Sequence, residues 1–242
     1  MKGNIFTTKL LEVVLAKSDE VEQAAGVFII MDFVQYDVRT LLEKVDQEQF
    51  SGEHIKIILY NLLCATNFMH TAGIMHRDIK PCNLLVDSEC SVKICDFGQS
   101  RPYFLEKTEG KRRLSTHISS RWYRSPEIIL THQDYDCAID IWSLGCVFAE
   151  IMLLNCLDPD KRKEGIRLSD VILIPGRSCY PFTDDPAKGK GTDGDVVRSD
   201  DQLIKILQLI GPLSEDDGDF LQDKGSQSYL NLVNSSVKPK GN

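Results

Sequence analysis

The stretch His76-Arg77-Asp78-Ile79-Lys80-Pro81-Cys82-Asn83 decides how this chain is read. It sets an Asp, a Lys two residues on and an Asn five residues on within one short segment. Eighteen residues past Asp78 stands Asp96-Phe97-Gly98, closing a strand-like run at Val92–Cys95. Next come Arg121-Trp122-Tyr123-Arg124-Ser125-Pro126-Glu127 and Asp140-Ile141-Trp142-Ser143-Leu144-Gly145. The last motif opens Ile139–Asn155, apolar nearly all round through Ile139, Ile141, Trp142, Leu144, Val147, Phe148, Ile151 and Met152. A helix with so little polar face is normally enclosed by protein, so this one is expected to be the buried axis of its domain. Upstream, Ser51 suits an N-cap. Ile55, Ile58, Leu59, Leu62, Ala65 and Met69 then mark one face of a helix ending near Gly73.

Toward the N-terminus, Lys9–Ala16 and Val27–Phe33 read as strands, with polar Lys17–Ala25 as the loop of a hairpin. Beyond Leu157 the composition shifts. Asp158–Arg167 and Thr183–Asp201 are expected to be solvated insertions around a short semi-apolar segment, Val171–Arg177. Regular structure resumes at Gln202–Ile210, and Ser235–Asn242 is expected to fray. The 242 residues are 42% hydrophobic and 26% charged, ordinary for a globular protein. A formal net charge of -8 argues against a nucleic-acid partner, which calls for clustered Lys and Arg. No apolar run reaches the roughly 18–20 residues that span a bilayer, so no membrane partner is expected. The eight cysteines are scattered without a second Cys or His pair to complete a zinc site. Free thiols, and a cytoplasmic or nuclear location, are the reading.

A lone Asp-Phe-Gly arises often by chance, but all these motifs in this order do not. The chain resembles protein kinases from about Gly3 to Val233, apart from the insertions. The resemblance implies an α+β, protein-kinase-like fold, mostly the α-helical large lobe with a remnant β-hairpin of the small lobe. It implies ATP and Mg²⁺ as cofactors. Phosphoryl transfer needs charge neutralisation and in-line positioning more than covalent help. By that likeness Asp78 accepts the proton of the attacking hydroxyl, Asn83 and Asp96 hold metal, and Lys80 lies against the γ-phosphate. The Lys80 position resembles kinases of serine and threonine rather than tyrosine. His76 is expected to be a packed structural histidine, with Asp140 and Glu127 also structural. Arg77 beside Asp78 suggests activation by a phosphorylated Ser115 or Thr116, placed there by an upstream activating kinase.

Thr116–Glu127 resembles the activation segment of mitogen-activated and cyclin-dependent kinases. Phe68–Met75, Cys95, Ile174-Pro175-Gly176-Arg177 and Gln202-Leu203 with Leu209-Ile210-Gly211 look like the mitogen-activated branch. The likeness implies a pocket formed by Ser120, Trp122, Tyr123 and Arg124 for proteins with Ser/Thr-Pro sites. It also implies Met31 as gatekeeper, Asp32 and Val34 as hinge contacts to adenine, Asp37 at ribose and Leu85 beneath the base. Departures are His117 where the family's phosphorylated Tyr would stand, and Gln99 after Asp-Phe-Gly.

No glycine-rich loop and no strand Lys paired to a helix Glu precede Lys9, and no helix is expected after Gln202–Ile210. The usual Arg partner of Glu127 is then missing, leaving a semi-buried carboxylate unpaired. The expected layout is 1–34 small-lobe remnant and hinge, 35–157 large lobe, 158–201 partly disordered insertion, 202–234 end of the large lobe, and 235–242 disordered tail. On that reading the chain is a fragment, a truncated gene model or a short isoform, with weak or no turnover by itself. The competing readings are a non-catalytic kinase-like interaction module and a small-molecule kinase. Retention of Asp78, Lys80, Asn83 and Asp96 argues against the first, and the Trp122–Glu127 peptide pocket against the second.

Overall fold

A computed structural model describes residues 4–18, 21–44, 50–103, 119–156, 171–179, 198–214, 216–221 and 223–237. Ser115, Thr116 and most of the two expected insertions lie outside these. Strands β1 (Leu10–Ser18) and β2 (Val21–Met31) pair antiparallel. The expected loop Lys17–Ala25 is mostly ladder, with Lys17 opposite Ala24 and Ser18 opposite Val21. A two-stranded ribbon is carried by main-chain bonds, and this one has Leu10, Val13, Phe28 and Ile29 exposed. Polar residues therefore do not interrupt it.

After the hinge come β3 (Tyr36–Asp37) and helix α1 (Val38–Lys44), neither expected from the sequence. Asp37 starts the helix by accepting the Thr40 N–H on Oδ1 at 2.7 Å. Helix α2 (Gly52–Thr71) follows Ser51, whose N–H donates to His54 Nδ1 at 3.0 Å. It buries Ile55, Ile58, Leu62, Ala65 and Met69. Gly73 ends it at φ 74, a conformation glycine adopts without strain. Next come β4 (Ile74–Met75), β5 (Leu84–Val86), β6 (Val92–Ile94) and β7 (Arg101–Pro102). One sheet runs in the order β3-β5-β6, and β4 pairs with β7. Thr7 bridges in parallel to Ile94, so the N-terminal segment lies along β6.

Among the described residues four further helices follow: α3 (Pro126–Ile129), α4 (Ala138–Cys156), α5 (Gln202–Ile210) and α6 (Lys224–Ser236). Helix α4 buries Ile139, Leu144, Val147 and Ile151, yet Ile141 is 51% and Met152 41% exposed. The expected fully buried axis thus has one open face among the described residues. Helix α2 and the turn Arg121–Tyr123 pack on its buried side.

The C-terminal third departs most from expectation. Val171, Ile172, Ile174 and Cys179 are buried core, although their segment looked only semi-apolar. Asp201, expected in a solvated insertion, is 2% exposed and caps α5 by accepting the Leu203 N–H. It also accepts from the Tyr229 hydroxyl and the Ser178 Oγ. The tyrosine comes from α6, a helix the sequence reading did not foresee. Most of its residues are polar, but Tyr229, Leu230 and Val233 bury one face of it. Ser235 and Ser236 belong to that helix rather than to a frayed tail. Among the described residues no helix is long and apolar enough to cross a membrane.

Gly176 fits against α5 only because it lacks a side chain. A Cβ there would meet Gln202 Oε1 at 2.2 Å and Gln202 Cα at 2.7 Å, and the backbone atom cannot swing away. The same Oε1 accepts the Gly176 N–H at 3.0 Å. Gly176→Ala is expected to lower stability by about 1–3 kcal/mol, read from urea denaturation midpoints.

Candidate active site

Helix α4 opens with Asp140, 1% exposed, whose carboxylate organises the loop that carries the site. It accepts the His76 N–H at 2.8 Å on Oδ2 and the Arg77 N–H at 2.8 Å on Oδ1. His70 Nε2 donates to Oδ2 at 2.9 Å. These bonds hold Arg77 at φ 70, in the left-handed region. The Arg77 guanidinium lies over the Tyr135 ring, 5.9 Å from its centroid.

His76 uses both ring nitrogens inside the protein. Nε2–H donates to the Cys95 carbonyl at 2.9 Å, and Nδ1 accepts the Asp78 N–H at 3.2 Å. Burial holds its pKa below the ordinary histidine value, so the ring is neutral and serves as a spacer. Asp78 is thereby presented with both oxygens engaged. Oδ2 accepts Lys80 Nζ at 2.6 Å and Asn83 Nδ2 at 3.2 Å, and Oδ1 accepts the Ser120 N–H at 3.2 Å. Burial opposes the Lys80 charge, but the bond to Asp78 outweighs it and keeps the pKa above the ordinary lysine value. The structure therefore brings Asp78, Lys80, Asn83 and Ser120 together.

Asn83 also donates Nδ2 to the Asp78 carbonyl at 2.8 Å, which fixes its amide and leaves Oδ1 as the acceptor. Asp96 follows β6 at φ 60, exposed, and accepts the Gly98 N–H on Oδ1 at 3.3 Å. Among the described residues no cluster of three His, Cys, Asp or Glu forms a cage. Two hard oxygen donors that leave the remaining positions to phosphate and water suit Mg²⁺. Next to Asp96, burial pushes the Cys95 thiol up to about 11.

The residues expected at the hinge have contacts of their own. Asp32 N–H donates to the Lys9 carbonyl at 3.1 Å, and its carboxylate accepts the Lys9 N–H and pairs with Lys93 on β6. Burial works against that carboxylate, but Lys93 and Lys9 hold its pKa below the ordinary range. The pairing of β3 with β5 sets Asp37 opposite Leu85, so these two expected nucleotide contacts are neighbours. Val34 is half-buried. Glu127 is half-buried, and no salt bridge to it is formed among the described residues.

The turn Arg121–Tyr123 and Arg124 are tied one after another to the segment 171–179. Arg121 Nη1 donates to the Arg177 carbonyl, and Trp122 Nε1 to the Gly176 carbonyl at 3.0 Å. Tyr123 donates its hydroxyl to Glu150 Oε2 at 3.1 Å, and Glu150 accepts the Leu173 amide. Arg124 donates Nη1 to the Cys179 sulfur at 3.2 Å and Nη2 to the Ser119 carbonyl at 2.9 Å. Ser119 itself sits at φ 60. Sequence reasoning missed Ser119, Glu150, Cys179, His70 and Lys93. Of these only Glu150, an acid in the middle of an otherwise apolar stretch of α4, left a signal.

The protein kinase domain family matches residues 9–181 of the chain. The chain is 41% identical over 126 residues to serine/threonine-protein kinase NLK2 of Xenopus laevis, covering 52% of this chain and 27% of that one. It is 39% identical over 163 residues to mitogen-activated protein kinase 3 of Arabidopsis thaliana, covering 66% and 42%. Over 239 residues it is 32% identical to mitogen-activated protein kinase MPS1 of Pyricularia oryzae, covering 98% and 48%. The chain spans between about a quarter and a half of the curated relatives it matches.

Burial pushes the Glu150 carboxyl up to about 8, against the hydrogen bonds of Tyr123 and Leu173. A folded pKa above the unfolded one means the native state binds the extra proton between them. Stability from this group is therefore full at low pH and declines as pH rises from about 4.5 to about 8. Glu150→Gln is expected to remove the decline. Its Tm should exceed that of the wild type by a margin growing from about pH 5 to 8, equivalent to a few kcal/mol on the order of magnitude. A thermal melt series across that range checks it.

Proposed function

The chain belongs to the protein kinase domain family, and on that premise we propose that it is a serine/threonine protein kinase of mitogen-activated type, transferring the ATP γ-phosphate to Ser-Pro and Thr-Pro sites in proteins. The observation that carries this reading is the Asp78 carboxylate, oriented at once by Lys80, Asn83 and the Ser120 amide. It links the transfer chemistry to the peptide wall through a single side chain. Asp78 accepts the hydrogen bond of the acceptor hydroxyl, aligns its oxygen and finally takes its proton. Lys80 sets a positive charge beside that oxygen. ATP and Mg²⁺, when bound, supply the transferable phosphoryl group and the neutralisation of its charge. Asn83 Oδ1 and Asp96 would hold the metal, and the backbone of Asp32 and Val34 would hold the base, with Asp37 and Leu85 beside it. An upstream protein kinase acting on Ser115 or Thr116 belongs to the same proposal.

The preference for proline follows from Ser119. In an extended acceptor peptide, the residue after the phosphorylated one brings its N–H toward this wall. The Ser119 carbonyl that could receive it is turned into Arg124 Nη2 instead. A buried N–H left without an acceptor costs about 1–3 kcal/mol, and proline carries none. Trp122, fixed on the Gly176 carbonyl, supplies an apolar surface for the ring.

Two assays test the proposal. With Mg²⁺ and labelled ATP, Asp78→Asn should lower the slow transfer to a Ser-Pro peptide by about 10²-fold or more while leaving ADP affinity within a few-fold; undiminished transfer would remove Asp78 from its role. In a peptide series, N-methylalanine after the serine should rank with proline, and alanine about tenfold below both. Equal ranking of alanine and N-methylalanine would show that the missing N–H is not what is selected.

A further inference from the structure

Arg124 is gripped from two sides. One guanidinium nitrogen holds the Ser119 carbonyl, and the other lies 3.2 Å from the Cys179 sulfur. Cys179 comes from a remote part of the chain and is fully buried. Its neighbour Ser178 bridges to Asp201, so the sulfur rides on the segment fastened to the start of α5. A guanidinium is planar, and an anchor on one nitrogen sets the direction of the other. Ser119 depends on that direction. A non-glycine residue in the left-handed region is strained, and it stays there while its carbonyl is held.

We propose that Cys179 is a specificity-determining positioning residue, which aims Arg124 at the Ser119 carbonyl and thereby enforces the choice of proline. The proposal deepens the reading of the peptide pocket given above and rests on it. Cys179 touches neither peptide nor nucleotide; it acts through Arg124. Burial raises its thiol pKa against the pull of Arg124, so the sulfur is a neutral acceptor and not an ion partner. What matters is then acceptor capacity at that point, which separates two substitutions of similar bulk. Cys179→Ser keeps an acceptor, whereas Cys179→Val fills the space without one.

The test is the affinity ratio of fluorescent Ser-Pro and Ser-Ala peptides, measured by anisotropy on the full chain with Mg²⁺ and ADP, alongside a thermal melt. The wild type should favour the Ser-Pro peptide about tenfold. The Val variant should fall to within about twofold of parity, chiefly by binding the Ser-Ala peptide better, and the Ser variant should keep most of the preference. A Val variant with the wild-type ratio overturns the proposal. So does a Ser variant that loses the preference as fully as Val, since packing alone would then account for the position. If the Val variant does not melt cooperatively, the Ser variant decides by the same criterion, and failure of both to fold assigns Cys179 to packing and overturns the proposal. A wild type without preference sinks the proline reading itself, a failure visible before any variant is made.

Discussion

One buried carboxylate holds the two halves of the site in register. Asp140 belongs to the helix around which the large-lobe core packs, yet its oxygens are filled by the backbone amides of His76 and Arg77 and by the His70 ring. An isolated carboxylate at that depth would be costly, and three donors make it tenable. The consequence is directional. The amides can reach both oxygens only if the chain turns at Arg77, and that turn throws Asp78 outward toward Lys80 and Asn83. Core packing thus fixes the position of Asp78 through two main-chain bonds.

A second knot does the same for the turn Arg121–Tyr123 and Arg124, the proposed peptide wall. Asp201 caps α5, receives the Tyr229 hydroxyl from α6 and binds Ser178. The segment 171–179 is thereby nailed to two helices. Its carbonyls at Gly176 and Arg177, and its sulfur at Cys179, then receive Trp122, Arg121 and Arg124. Residues far apart in sequence make one surface because hydrogen-bonding capacity on one segment matches donors on the other.

The sequence made some of this legible and hid the rest for physical reasons. Motif order was enough to read the family, because charged and amide residues at fixed short spacing survive as a pattern. The neighbourhood of Asp78, Lys80 and Asn83 was readable for the same reason, as local spacing dictates local proximity. The length of the β1–β2 ribbon was not, since main-chain bonds extend it through polar residues. Nor was α6, whose composition is polar on average and whose buried face carries Tyr229, Leu230 and Val233 beside the polar Ser226. The role of the segment 171–179 was hidden because its useful groups are carbonyls, which every residue carries alike. The all-round apolar character of α4 overstated its burial, because apolar composition reports what could be buried and not what covers it.

Left-handed backbone at non-glycine residues falls on Arg77, Asp96 and Ser119, besides the turns at Cys90 and Thr131. Each such position costs about 1 kcal/mol or more and persists only where neighbours over-determine it. Asp140 does so for Arg77, and Arg124 does so for Ser119. The two are not independent, for the Ser119 hydroxyl donates to the Arg77 carbonyl. Strain in the loop that presents Asp78 is therefore relieved or retained together with strain in the loop that carries Ser119. Release of the Ser119 carbonyl would move its hydroxyl and with it a support of the Arg77 turn. On the proposed function, a pocket that loosens its selection should for that reason also loosen the aim of the Asp78 carboxylate, which would make the two properties one mechanical state of the chain.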